Sequence, residues 1–311
     1  MSWLWVTVVV LWGLDIVARI IAWGGLNIQP DGLLKDGERR LYVIPGVLAE
    51  AKNQISPLRP ILSQWGRLIY VNWGKWFYSP SMNKHVLAQR IVEDRRQYDA
   101  GDIVLVASSL GGSVSLDVGE RLHEIAPDIK PGLIVFDGIA GSSNLKGPGK
   151  ILGPVVRYGR WLIPLGFVGI TLLNLVLMPI AKRMNEGALP KDDEIEDGLN
   201  KKAIQDKARK DMAGYAVFTT LFRQTAHMSA TKVTPEKLRN FSYVQYYCCT
   251  LDNVTVQQPK EARKWRNAAS KARVPFNAVE VKSPHDAYAQ MPKLWRSKVG
   301  KNLSWCFRES K

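Results

Sequence analysis

The stretch from Asp102 to Ser113, DIVLVASSLGGS, leaves the chain the fewest options. A short apolar, β-branched run stops at small residues, and apolar positions follow at Leu116, Val118, Leu122 and Ile125. That pattern predicts a buried parallel strand turning sharply into a helix. Ser109 stands at the turn, inside an Ala-x-Ser-x-Gly string. Its neighbours must be small, because such a turn brings strand and helix backbones together and lifts the serine hydroxyl above the sheet. The helix start behind it adds backbone N–H groups and a positive dipole end, suited to developing negative charge.

The string resembles the nucleophile elbow of the α/β-hydrolase fold, usually Gly-x-Ser-x-Gly. Ala107 takes the place of the first glycine, as some members of that fold allow. Other segments fall into line with it. Strands are expected at Arg40–Val47, Arg67–Asn72, Gly132–Gly138, Asn240–Thr250 and Phe276–Val281. A helix is expected over about Asn83–Arg96 and a basic one over about Pro259–Ala272. Strands alternating with helices predict a mostly parallel, doubly wound α/β sheet. At 311 residues there is room for one such domain and an insertion.

Nucleophilic hydrolysis near neutral pH needs a hydroxyl, an imidazole to take its proton and a carboxylate to orient that imidazole. The resemblance implies the order serine, acid, histidine, each on a loop after a strand. Ser109, Asp252 and His285 fill those places, and Asp137, at the end of its strand, is the competing acid. Of the four histidines, His85 and His123 fall on predicted helices and His227 in the insertion, where packing or solvated roles suit them. The resemblance also implies an oxyanion hole from the backbone N–H of Leu110 and of Val47, the latter in the Pro45-Gly46-Val47 loop. It implies no metal and no organic cofactor. Ser108 is expected to point back beside the strand. Cys248, Cys249 and Cys306 make no disulfide framework and no zinc spacing, and read as small core residues.

Two apolar stretches stand outside this scheme. Residues 3–23 are broken only by Asp15 and Arg19, which can pair on one helix face, and their length suits one membrane span. An interfacial helix is the alternative. Lys35, Arg39, Arg40 and Lys52 follow, which predicts a cytoplasmic position for the rest. Residues 161–181 carry no charge and are flanked by Arg157, Arg160, Lys182 and Arg183. A single crossing there would part Ser109 from Asp252 and His285, so the stretch is expected to dip and return, or to pack as an apolar cap.

The domain reading is an anchor at 1–24, a linker at 25–39, a core at 40–138 and 240–311, and a cap at 139–239. A net charge of +15 points to an anionic partner, membrane surface or nucleic acid. No nucleic-acid motif accompanies it, so anionic lipid is the expected partner and nucleic acid is not. The expected function is hydrolysis of an ester, thioester or lipid acyl bond at a membrane. Acyl transfer on the same residues, and a non-catalytic lipid-binding member of the fold, are the alternatives.

Overall fold

Several of the strands are apolar at nearly every position, and a strand like that needs cover on both faces. The computed structural model supplies it. It describes residues 25–47, 49–74, 78–139, 195–206, 217–251, 258–285 and 287–308, with eight further residues between 3 and 17. Seven strands form one sheet: β1 (Asn27–Pro30), β2 (Arg40–Ile44), β3 (Arg67–Asn72), β4 (Ile103–Ser108), β5 (Gly132–Phe136), β6 (Val244–Cys249) and β7 (Phe276–Val281). Their order is β1-β3-β2-β4-β5-β6-β7. All pairings are parallel except that of β1 with β3.

Helices α1 (Ala51–Ile55), α2 (Arg59–Leu62) and α8 (Pro292–Arg308) lie against one face. Helices α3 (Pro80–Gln97), α4 (Leu110–Ile125), α6 (Pro235–Leu238) and α7 (Gln258–Ala272) lie against the other, and α5 (Val217–Ala230) packs on α4. Side chains of β2 and β4 divide between the faces by strict alternation. Leu41, Val43, Val104 and Val106 join Ile55, Leu62, Trp295 and Leu303. Tyr42, Ile44, Leu105 and Ala107 join Leu87, Ile91, Val114 and Trp265. Each large apolar side chain so withdrawn contributes about 1.5–3 kcal/mol against unfolding.

Because β2 to β7 run parallel, their carboxyl ends share one edge, and the loops that start there carry Pro45, Trp73, Ser109, Asp137, Thr250 and Lys282. In open α/β sheets that edge is where ligands bind.

Three sequence expectations change. The linker at 25–39 contributes β1, which adds to the sheet beyond β3 in antiparallel sense and packs Ile28 on the core. Its proline is tolerated because the strand lies at the sheet's edge. The expected cap at 139–239 does not stay off the core throughout. Its last part forms α5 and α6, and both pack against α4. The helix expected from Asn83 begins at Pro80, whose missing N–H costs nothing in a first turn. Among the described residues no helix is long and apolar enough to cross a membrane. Residues 161–181 lie outside the described residues, as does most of the stretch 3–23.

Candidate active site

The turn after β4 explains its own composition. Ser109 has φ 49° and ψ −111°, a left-handed value that a serine adopts only where the surroundings force it. Its N–H donates to Phe136 O at 2.9 Å, and its carbonyl accepts from Gly112 N–H at 3.0 Å. A Cβ on Gly111 would come within 2.3 Å of the Ile44 carbonyl oxygen, so only glycine lets α4 start against the end of β2. The strain is held by that packing, and the serine hydroxyl is the side chain it presents.

His285 follows β7 and meets that hydroxyl. Its Nε2 lies 3.0 Å from Ser109 Oγ. Its Nδ1 lies 3.9 Å from Asp137 Oδ2. Asp137 is fully buried at the end of β5, with φ 48°. Its Oδ1 accepts from Cys249 N–H at 2.9 Å, and its Oδ2 accepts from the Cys249 thiol at 2.7 Å. Two donors on a buried carboxylate offset the water it has lost. Ser109, His285 and Asp137 are therefore brought together. Asp252 lies outside the described residues, one loop past β6.

Leu110 opens α4, and its backbone amide sits at the helix start directly after Ser109. Val47 is partly exposed in the turn after β2. The residue before it, Gly46, is buried, and both of its backbone groups are taken: its N–H donates to Gln54 Oε1 at 3.0 Å and its carbonyl accepts from Trp73 Nε1–H at 3.1 Å. Gln54 Nε2–H in turn donates to Ser108 Oγ at 3.2 Å, and Ser108 Oγ lies 2.9 Å from Tyr288 OH. Ser108 thus does more than lie beside its strand; it links α1 to the loop after β7. Sequence reasoning missed Gln54, Trp73 and Tyr288. The available signal was position alone, since each follows a strand that ends at this edge.

The remaining histidines sit elsewhere. His85 accepts from Arg121 Nε–H at 3.1 Å between α3 and α4, and His123 lies in the last turn of α4. His227 is buried, with Nδ1 2.6 Å from Tyr78 OH and Nε2 2.8 Å from Asp117 Oδ2. Lys237 Nζ lies 2.5 Å from the other oxygen of Asp117. Burial alone would raise the Asp117 carboxyl, but hydrogen bonds and charge from His227 and Lys237 outweigh it and hold the group at about 2. This cluster fastens α5 and α6 to α4. The cysteines form no disulfide. Burial pushes the Cys306 thiol up to about 12, which leaves it no nucleophilic role at neutral pH. Among the described residues no cluster of histidine, cysteine, aspartate or glutamate could hold a metal ion.

No family model matches the chain, and no curated protein matches it in sequence. Solved structures do resemble it. A hydrolase from Pseudomonas aeruginosa aligns with TM-score 0.59 and 14% identity over 89% of this chain and 94% of its own. An esterase from Exiguobacterium antarcticum aligns with TM-score 0.59 and 11% identity over 91% and 95%. An alpha/beta hydrolase from a Medee basin deep-sea metagenome library gives TM-score 0.51 and 13% identity over 88% and 93%. Sheet order, the strained turn at Ser109 and these likenesses agree that the chain has the α/β-hydrolase fold.

Proposed function

We propose that the protein is a serine ester hydrolase working through an acyl-enzyme. The observation that carries this reading is the 3.0 Å approach of His285 Nε2 to Ser109 Oγ at a strained strand-to-helix turn. Ser109 Oγ attacks the acyl carbon while its proton passes to Nε2. The carbonyl oxygen takes up the displaced electron pair and is met by the Leu110 and Val47 amides. The C–O bond to the leaving group breaks as Nε2 returns the proton to that oxygen. Water, deprotonated by the same nitrogen, then attacks the acyl-serine and restores the hydroxyl.

Of the acids, Asp137 is the one the described geometry brings near the imidazole, and we take it as the charge that stabilises the imidazolium. Asp252, the acid expected from the sequence, remains the alternative, and its substitution is compared with that of Asp137.

The sheet edge supports a reading of the substrate class. Asn27 pairs with Asn72 at the carboxyl end of β3, so the segment before residue 25 joins on the edge that carries Ser109. The described chain stops at Ile139, just after Asp137, and resumes at Ile195, with Glu196 N–H donating to Gln290 O beside the His285 loop. In sequence, both apolar stretches are thus continuous with described residues at this edge. Trp3, Trp5, Val9, Val10 and Val17 are helical and exposed. This supports a membrane-associated enzyme that takes a lipid-like acyl ester.

A fluorophosphonate probe tests the core of the reading. Labelling of the wild type that vanishes in Ser109→Ala is expected; equal labelling of both ends the proposal.

A further inference from the structure

Gly46 is the hinge of the loop that supplies the second oxyanion donor, and a glycine can turn its flanking peptides almost freely. Here neither is free. The preceding peptide is held through its N–H by Gln54 Oε1 at 3.0 Å, and the following one through its carbonyl by Trp73 Nε1–H at 3.1 Å. Gly46 and Trp73 are both buried, so breaking either bond would leave a polar group without water to replace it.

The direction of the second bond matters most. The Gly46–Val47 peptide is trans, and a trans peptide points its C=O and N–H to opposite sides. Trp73 follows β3, which lies on the side of β2 away from β4. Its indole fixes the Gly46 carbonyl. The Val47 N–H, on the opposite edge of the same planar peptide, is fixed with it, and the loop that carries it opens beside β4, the strand that ends at Ser109. Gln54 also reaches Ser108, the residue before the nucleophile, which lies against Tyr288 of the histidine loop. One chain of bonds therefore spans the donor loop, the nucleophile turn and the histidine loop.

We infer that Trp73 and Gln54 are positioning residues for transition-state stabilisation: they fix the peptide that aims Val47 N–H at the oxyanion. The inference rests on the serine-hydrolase reading above. The effect of the two side chains is to remove the reorganisation that a glycine hinge would otherwise require as charge develops.

The test uses the full chain and p-nitrophenyl butyrate, with Ser109→Ala as reference. Trp73→Phe keeps the ring and deletes the N–H. It is expected to lower kcat on the order of tenfold to a hundredfold, less than deleting a donor outright, with KM within about twofold. Inhibition by a trifluoromethyl ketone, which forms a tetrahedral oxyanion on serine, is expected to weaken in step with kcat. Gln54→Glu keeps an acceptor for Gly46 N–H and is expected to retain more activity than Gln54→Met, of similar size. If Trp73→Phe folds poorly, the Gln54 pair decides alone. Unchanged kcat in both Trp73→Phe and Gln54→Met, with Ser109→Ala inactive, overturns the positioning role and leaves the hydrolase reading intact. Hydrolysis that survives Ser109→Ala overturns both.

Discussion

His285 Nε2 and Ser109 Oγ stand 3.0 Å apart across 176 residues of chain. They meet because β4 and β7 run parallel in one sheet and open their following loops on the same edge. A base within hydrogen-bond reach of a hydroxyl is the first requirement for activating it. Replacing His285 with Ala should lower kcat on the order of 10⁴-fold or more, as removing a member of a concerted unit does. The check is single-turnover hydrolysis of a nitrophenyl ester. A loss below about tenfold would mean that the imidazole is not the base.

The acid is tested by two amides. Asp137→Asn removes the charge 3.9 Å from His285 Nδ1 while keeping one oxygen to accept from Cys249 N–H. We expect kcat to fall by roughly 10²–10⁴-fold, with the fold intact by circular dichroism. Asp252→Asn is expected to cost much less. The reverse order would move the acid's role from the β5 loop to the β6 loop.

Much of this was legible in the sequence, and the reasons are physical. β2, β4 and β5 are buried on both faces, so they had to be continuous apolar runs, and runs of that kind are easy to see. Ser109 was legible because it follows such a run; His285 follows β7, a half-buried strand interrupted by Asn277 and Glu280, and was legible from its place after the last strand. β1 was not, since its four residues include one proline and only one residue, Ile28, packed on the core. Its place comes from pairing with β3, which no local pattern encodes. Pairing of charges was equally hidden: Arg39 and Arg40, counted in the sequence toward the positive-inside bias, form ion pairs with Asp102 and Glu38. The Gln54–Gly46–Trp73 bonds join three segments that are separate in the chain, and only the assembled sheet brings them together.

The start of α4 is a second place to press. Gly111→Ala puts a methyl 2.3 Å from a backbone carbonyl of β2, and backbone cannot step aside as a flexible side chain would. The strand end or the helix start must shift, at a cost of about 1–3 kcal/mol. Because the shifted residues flank Ser109, activity should fall by more than the lost stability explains. Chemical denaturation alongside kcat measures both. A variant as stable and as active as the wild type would mean that the turn is not held by this contact.

Membrane attachment is read from vesicles. The full chain is expected to float with phosphatidylglycerol vesicles, and a variant lacking residues 1–24 is expected to lose most of that binding while keeping hydrolysis of a soluble ester. Equal flotation of the two would remove the N-terminal stretch from the account and leave the basic surface and the apolar stretch 161–181 as the attraction.

The Asp117 cluster predicts how the protein fails in acid. Its carboxyl is held at about 2 in the folded chain against an ordinary 3.8, because His227 and Lys237 outweigh the opposing effect of burial. A carboxyl depressed on folding stabilises the native state above its unfolded value and loses that contribution as pH falls toward its folded one. The window therefore runs from about pH 4 down to about pH 2. The amount at stake is about 2 kcal/mol. Asp117→Asn cannot titrate, so although less stable at neutral pH, it should lose less stability than the wild type across that window. Urea midpoints at stepped pH give the comparison directly. Parallel loss in both proteins would show that α5 and α6 are held to α4 by packing alone, with the ion cluster contributing no pH dependence of its own.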